Sequence, residues 1–262
     1  MSAPGAPAAD GPRRRVAVVT GASGGVGRGI AVACGAAGWE VWIAARRAAA
    51  SAAVADEVTA AGGLGRAWPC DVTDPAAVAG LVDAVDRAHG RLDALVHNAT
   101  SGLSARSAPA AEISVAELAE HVAVAVTGLR RLAVAAHPLL RRSGGSVLVT
   151  TSEAGFEGKW LLPAYAAAKA AQRGLARVLA REWGPDGIRV NCVAPLADSP
   201  AMARAFAGDP AMRERVLGRN PLGRLGDPVA DVGAVAEFLI SPAARFVTGQ
   251  TLMADGGSCP IA

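Results

Sequence analysis

The chain contains a single tyrosine, Tyr165, and it stands in the string Tyr165-Ala166-Ala167-Ala168-Lys169. Lysine is almost as scarce: only Lys159 and Lys169 occur, and arginine serves wherever any cation suffices. Residues four apart on a helix share one face, a turn from each other. A phenol with an ordinary pKa of about 10 becomes a proton donor and acceptor near neutral pH when a fixed ammonium stabilises its phenolate. The competing reading has Tyr165 packing a helix interface and Lys169 solvating an exposed face. The scarcity of both residue types weighs against it.

A second constellation lies upstream, where Thr20-Gly21-Ala22-Ser23-Gly24-Gly25-Val26-Gly27 follows a β-branched run and precedes an apolar helical pattern. A glycine-rich turn between strand and helix lets backbone approach a pyrophosphate, whose charge the free N–H groups of the helix start stabilise. A lone glycine turn also serves tight packing, but its place at the first strand-to-helix junction favours a dinucleotide. Roughly 20 residues further on, an NAD site places Asp or Glu on the ribose hydroxyls. Arg46 and Arg47 stand there instead. Guanidinium forks suit a 2′-phosphate, which points to NADPH, the alternative being two arginines that only solvate a helix start.

The elements that must position these groups alternate along the chain. Short β-branched runs at 16–20, 41–44, 92–96, 147–151 and 188–193 are separated by longer Ala-rich stretches of helical spacing. Apolar runs without in-out alternation suit strands buried on both faces, and hence a parallel, doubly wound sheet between two helical layers. At 262 residues, one domain is expected over 16–262, behind a disordered tail at 1–15. The proline-rich stretch 194–224 breaks the rhythm and reads as a substrate lid or a surface insertion. The net charge of +3 is a weak footprint for nucleic acid. No uninterrupted apolar run reaches the roughly 18 residues that span a bilayer. Cys34, Cys70, Cys192 and Cys259 are widely spaced, so no metal site is expected; buried thiols in a reducing cytoplasm are the plain reading.

Taken together, these motifs resemble the short-chain dehydrogenase/reductase family over roughly residues 16–257. Further matches are Asp71-Val72, Asn98-Ala99, Ser152 thirteen residues before Tyr165, Ile188-Arg189-Val190-Asn191 before Pro195, Thr248-Gly249-Gln250 and Asp255-Gly256-Gly257. The resemblance implies a Rossmann-type, three-layer, single-domain α/β fold. It implies that Ser152 bonds the substrate oxygen, Tyr165 protonates the forming alkoxide, and Lys169 holds the nicotinamide ribose and lowers the phenol pKa. A cofactor groove follows, made by Gly21, Ser23, Gly24, Gly25, Val26, Gly27, Arg46, Arg47, Asp71, Val72, Asn98, Ala99, Thr100, Tyr165, Lys169, Pro195, Leu196 and Ser199.

Three positions depart from the family pattern. Ala125 stands where an Asn usually organises a water chain to the lysine; its carbonyl remains to hold that water, or the relay runs through another polar group. Thr100 and Leu196 replace glycines beside the nicotinamide and are expected to narrow the pocket, while Ser199 stands where a Thr often bonds the carboxamide. Glu153, Glu157, Lys159 and Trp160 either recognise a polar substrate or form a solvated turn. The expected activity is NADPH-dependent reduction of a small-molecule ketone, with imine or enone reduction, or a degenerate cofactor-binding member, as alternatives. Small-residue faces on the helices at 115–140 and 163–183 suggest a homotetramer, or a dimer.

Overall fold

A computed structural model describes residues 13–104 and 106–259. The chain runs β1 (Val16–Thr20), α1 (Gly25–Ala36), β2 (Glu40–Ala45), α2 (Ala48–Ala60), β3 (Leu64–Pro69), α3 (Pro75–His89) and β4 (Ala94–His97). It continues through α4 (Val115–Val122), α5 (Gly128–Ser143), β5 (Ser146–Thr150), α6 (Ala154–Glu157), α7 (Pro163–Trp183) and β6 (Arg189–Pro195). The last elements are α8 (Pro200–Gly208), α9 (Pro210–Gly218), α10 (Ala234–Ile240) and β7 (Thr251–Ala254).

All seven strands pair in parallel in the order β3-β2-β1-β4-β5-β6-β7. The order reverses between β1 and β4, and such a switch point opens a crevice beyond the carboxyl ends of the strands. The central strands are buried on both sides, which is why their sequences are apolar runs; Val16–Thr20 is buried at every position. One core joins Val18, Leu95 and Val149 to Leu81 of α3, Leu132 of α5 and Leu179 of α7. The other joins Val19, Val96 and Leu148 to Ile30 of α1, Val58 of α2 and Leu239 of α10. Three layers result, as the alternating pattern predicts.

β3 and β7 lack the β-branched runs of the other strands, since β3 reads Leu-Gly-Arg-Ala-Trp-Pro and β7 spans only Thr251–Ala254. Both are edge strands, one side of which carries no ladder, so Pro69 and half-exposed side chains are tolerated. Residues 1–12 of the expected tail lie outside the described residues. Its last residues are anchored, Arg14 donating to the carbonyls of Gly38 and Gly62 and Arg15 lying 4.3 Å from the Trp39 ring centroid. The excursion after β6 starts at Leu196, since Ala194 and Pro195 still pair with β7.

The helix from Val115 to Ser143 is one run of 29 residues, long and apolar enough by composition to cross a bilayer. Interruption by single polar residues therefore does not exclude a span by itself. In this fold the run covers the sheet, with Leu129, Leu132, Ala133, Ala136 and Leu140 buried in the core. Ser114 and Glu117 close a reciprocal capping box at its start. A π-turn at Ala123–Thr127 interrupts it midway.

Candidate active site

The glycine turn closes over the end of β4. The Thr20 hydroxyl accepts the N–H groups of Asn98 (3.1 Å) and Ala99 (3.2 Å), while Asn98 Nδ2 donates to the carbonyls of Thr20 and Gly21. A Cβ on Gly27 would run into Asn98 Nδ2 and the Gly21 carbonyl, so only glycine permits this approach. Helix α1 has glycine at its N-cap and no side-chain cap. Its leading N–H groups therefore face an anion site, and the cradle fits the pyrophosphate of a dinucleotide.

Two guanidinium groups flank the end of β2. Arg47 donates to the carbonyl and hydroxyl of Ser23, each at 3.1 Å, and so lies against the glycine turn. Arg46 is exposed, 3.9 Å from Asp71. Burial pulls the Asp71 carboxyl upward, but hydrogen bonds from Thr73 and the nearby Arg46 outweigh it and leave the pKa below the usual range. Val72 is buried and its carbonyl accepts from Arg131. The start of α8 lies across the turn, since a Cβ on Gly25 would come within 3.7 Å of Pro200 and 3.8 Å of Ser199.

Helix α7 begins with Pro163 in its first turn, a position where the missing N–H costs nothing. Its buried face presents Ala164, Ala168, Lys169 and Gln172 in turn. Gly155 of α6 lets two helices meet here, because a Cβ would stand 2.8 Å from Ala170 N and Lys169 C. That contact sets Ser152 beside Tyr165. Burial raises the phenol pKa above its ordinary value, the Ser152 hydroxyl opposes the shift, and Glu153 adds to it. Lys169 is buried, which lowers its pKa to about 8, and Nζ donates to the Thr150 carbonyl at 2.7 Å. Lys169 Nζ lies 5.6 Å from the Tyr165 ring centroid, and burial is the leading cause of the upward shift of the phenol.

The departures from the family pattern are each accounted for in space. Thr100 is exposed. Leu196 is buried, its N–H and carbonyl bonded to Ala254 and Gly226, while Pro195 ends β6. The Ser199 hydroxyl accepts from Met202 N and caps α8. The Ala125 carbonyl is not free, for it accepts Gln172 Nε2 at 2.9 Å. Glu153 pairs with Lys159 and Glu157 with Arg219, the residue after α9, so neither carboxylate stands alone, and Trp160 projects outward. A groove of about 520 Å³ runs between Pro109, Lys159, Trp160 and Pro163.

Three residues near this centre carry no local motif. His121 of α4 meets the Tyr165 ring edge-on at 6.2 Å and, with Arg106 and Glu117, lines a narrow cleft beside it. His97, the last residue of β4, is fully buried, and burial together with Lys169 drives its pKa to about 3. Gln172 is fully buried as well. His97 and His121 reach the site across more than 40 residues of chain, while Gln172 lies on the helix of Tyr165 and Lys169; the one signal in the sequence is a polar residue on an otherwise apolar helix or strand face. Leu161, with φ of 60°, holds a left-handed backbone conformation at the groove wall.

A parallel doubly wound sheet, a glycine cradle at its switch point and a Ser-Tyr-Lys group beside the crevice define a dinucleotide-binding α/β protein. The family described as Enoyl-(Acyl carrier protein) reductase matches residues 21–258. A 7alpha-hydroxysteroid dehydrogenase of Escherichia coli K12 is 32% identical over 93% of this chain and 93% of its own. A solved 7 alpha-hydroxysteroid dehydrogenase complexed with NADH and 7-oxo glycochenodeoxycholic acid superposes with a TM-score of 0.86, 32% identity and 93% coverage of each chain. A chain from Agrobacterium tumefaciens with bound NADP is 36% identical, with a TM-score of 0.83 over 93% of this chain and 96% of that one. A tropinone reductase homolog of Arabidopsis thaliana is 38% identical over 64% of this chain, a match that spans 62% of that relative. The chain belongs to the short-chain dehydrogenase/reductase family and is an NAD(P)-dependent oxidoreductase.

Proposed function

We propose that this oxidoreductase is an NADPH-dependent reductase of a ketone on a small molecule, with Tyr165 as general acid. The observation that carries the reading is the Ser152 hydroxyl beside the Tyr165 phenol, with Lys169 a turn further on. A raised phenol pKa keeps Tyr165 protonated at neutral pH, which suits a proton donor. The glycine cradle would hold the pyrophosphate of a reduced nicotinamide dinucleotide, whose chemistry is to supply a hydride. Ser152 orients the carbonyl oxygen, Tyr165 donates its proton to the developing alkoxide, and the buried Lys169 ammonium stabilises the phenolate left behind. Arg46 and Arg47, at the end of β2 where an NAD site carries a carboxylate, offer guanidinium groups to a ribose 2′-phosphate, which supports NADPH over NADH.

Enone reduction is the second reading, favoured by the description of the matching family. A Tyr165→Phe variant that still binds NADPH while losing about 10²- to 10⁴-fold in kcat/KM on ketones tests the assignment. Unchanged turnover of a ketone by that variant sinks it, and turnover confined to activated alkenes moves the substrate class. A non-catalytic member would oxidise NADPH with neither. Assembly as a homotetramer acting on small molecules in the cytoplasm completes the proposal.

A further inference from the structure

Behind Lys169, on the face of the sheet covered by α3, α5 and α7, lies a second polar cluster. Lys169 is 3% exposed, yet only one of the three donors on its ammonium has a protein acceptor among the described residues, the Thr150 carbonyl. Three residues further along α7, Gln172 is 0% exposed and donates Nε2 to the Ala125 carbonyl. Its Oε1 has no partner among the described residues. Neither has Nε2 of His97, whose ring faces the carbonyl of Val124, the residue before Ala125 in the π-turn. Buried acceptors and donors left without partners cost about 1–3 kcal/mol each, so a surplus of both kinds around the adjacent carbonyls of Val124 and Ala125 calls for a ligand that is both donor and acceptor. Water is that ligand, and π-turns supply the loosened carbonyls that such sites use.

We infer that Gln172 is a positioning residue for Lys169: it pins the π-turn through Ala125 and, with His97, builds a polar site for ordered water behind the ammonium. A single amide on α7 then does from the opposite helix what an amide at position 125 would do from the π-turn. The inference rests on the reading of Lys169 as the working ammonium. The charged and titratable groups facing Lys169 are His97 on β4, His121 on α4, Cys192 on β6 and Tyr165 on its own helix. His97 stays neutral near pH 7 and Cys192, pushed up to about 11 by burial, stays a thiol, so beyond the Thr150 carbonyl the charge depends on hydration.

With two lysines in the chain, labelled lysine gives two resolvable NMR titrations, and the pKa of Lys169 is read without any turnover. Gln172→Leu, close in volume and apolar, is expected to lower that pKa by about one unit, and Gln172→Glu to raise it by a similar amount. Loosened packing alone does not move the two variants in opposite directions. In turnover, Gln172→Leu is expected to lower kcat about tenfold, with KM for NADPH held and the alkaline limb of the pH profile moved down with the lysine. Adding Ala125→Asn to that variant returns an amide to the polar site and restores the lysine titration. A Lys169 titration that both substitutions leave in place overturns the inference. Loss of ketone turnover in the unsubstituted protein, with the opposed lysine shifts still present, overturns the proposed activity instead and leaves the positioning role standing.

Discussion

At the scale of single residues, burial is the leading cause of the shifts at both Tyr165 and Lys169. Lys169 loses most of its hydration and drops to about 8, while Tyr165 rises. Reduction needs both protonated, so kcat/KM is expected to hold through neutral pH and to fall through a limb near pH 8 that belongs to the lysine. A pH-rate profile checks this, and a limb above pH 10 refutes it. His97 adds a stability signature, since its pKa is about 3 in the folded chain against 6.5 for an unperturbed imidazole. Between those values the unfolded chain binds one more proton, so stability is complete above pH 6.5 and declines as pH falls towards 3. His97→Phe is expected to flatten that slope in urea titrations by one proton. For the cofactor, removing both Arg46 and Arg47 as alanines is expected to raise KM for NADPH about tenfold to a hundredfold and leave NADH unaffected. Equal losses with both cofactors contradict the 2′-phosphate role.

At the scale of elements, the site is a contact between α6 and α7 held over the end of β5. Thr151 Oγ1 donates to the Lys169 carbonyl, and Arg173 donates to the Gly155 carbonyl, tying the two helices across the strand end. Gly155 is the residue that permits the approach. Gly155→Ala overpacks a backbone contact and is expected to cost about 1–3 kcal/mol in denaturant unfolding. It also moves Ser152 from Tyr165, so activity falls further than stability does. A variant with normal kcat and an unchanged midpoint shows that the helices yield, and that their distance does not set the site. The strand-turn-helix order around Gly21–Gly27 and the helix carrying Tyr165 and Lys169 were legible because local pattern specifies both. The π-turn at Ala123–Thr127 was not, since nothing in Ala-Val-Ala-Val-Thr distinguishes five π-bonded residues from a regular turn.

At the scale of the whole molecule, apolar side chains stay uncovered on two separate faces. One carries Val115, Leu118 and Val134 on the helical run from 115 to 143; the other carries Phe246, fully exposed, with Leu252 on the edge strand β7. Two distinct patches suit two kinds of two-fold interface, the requirement of a tetramer with dihedral symmetry. Light scattering is expected to return four times the 26.2 kDa chain mass, and Val134→Glu to halve it by breaking one interface. A monomer at micromolar concentration contradicts the assembly. The exposed valines add to the buried leucines and alanines to make the helical run from 115 to 143 long and apolar enough to match a bilayer in length and composition.

The sequence by itself determined the layered parallel fold, the glycine cradle and the Tyr-Lys spacing, because each depends on periodicity or turn chemistry within a few consecutive residues. Tertiary structure alone decided which groups surround the reacting atoms. His97, His121 and Gln172 arrive from three different elements, and their meeting depends on how far apart a sheet and two helices pack. Local propensity carries no information about that distance. The direction in which burial moves the phenol and the ammonium is likewise a property of the closed fold, since desolvation exists only once the layers have met.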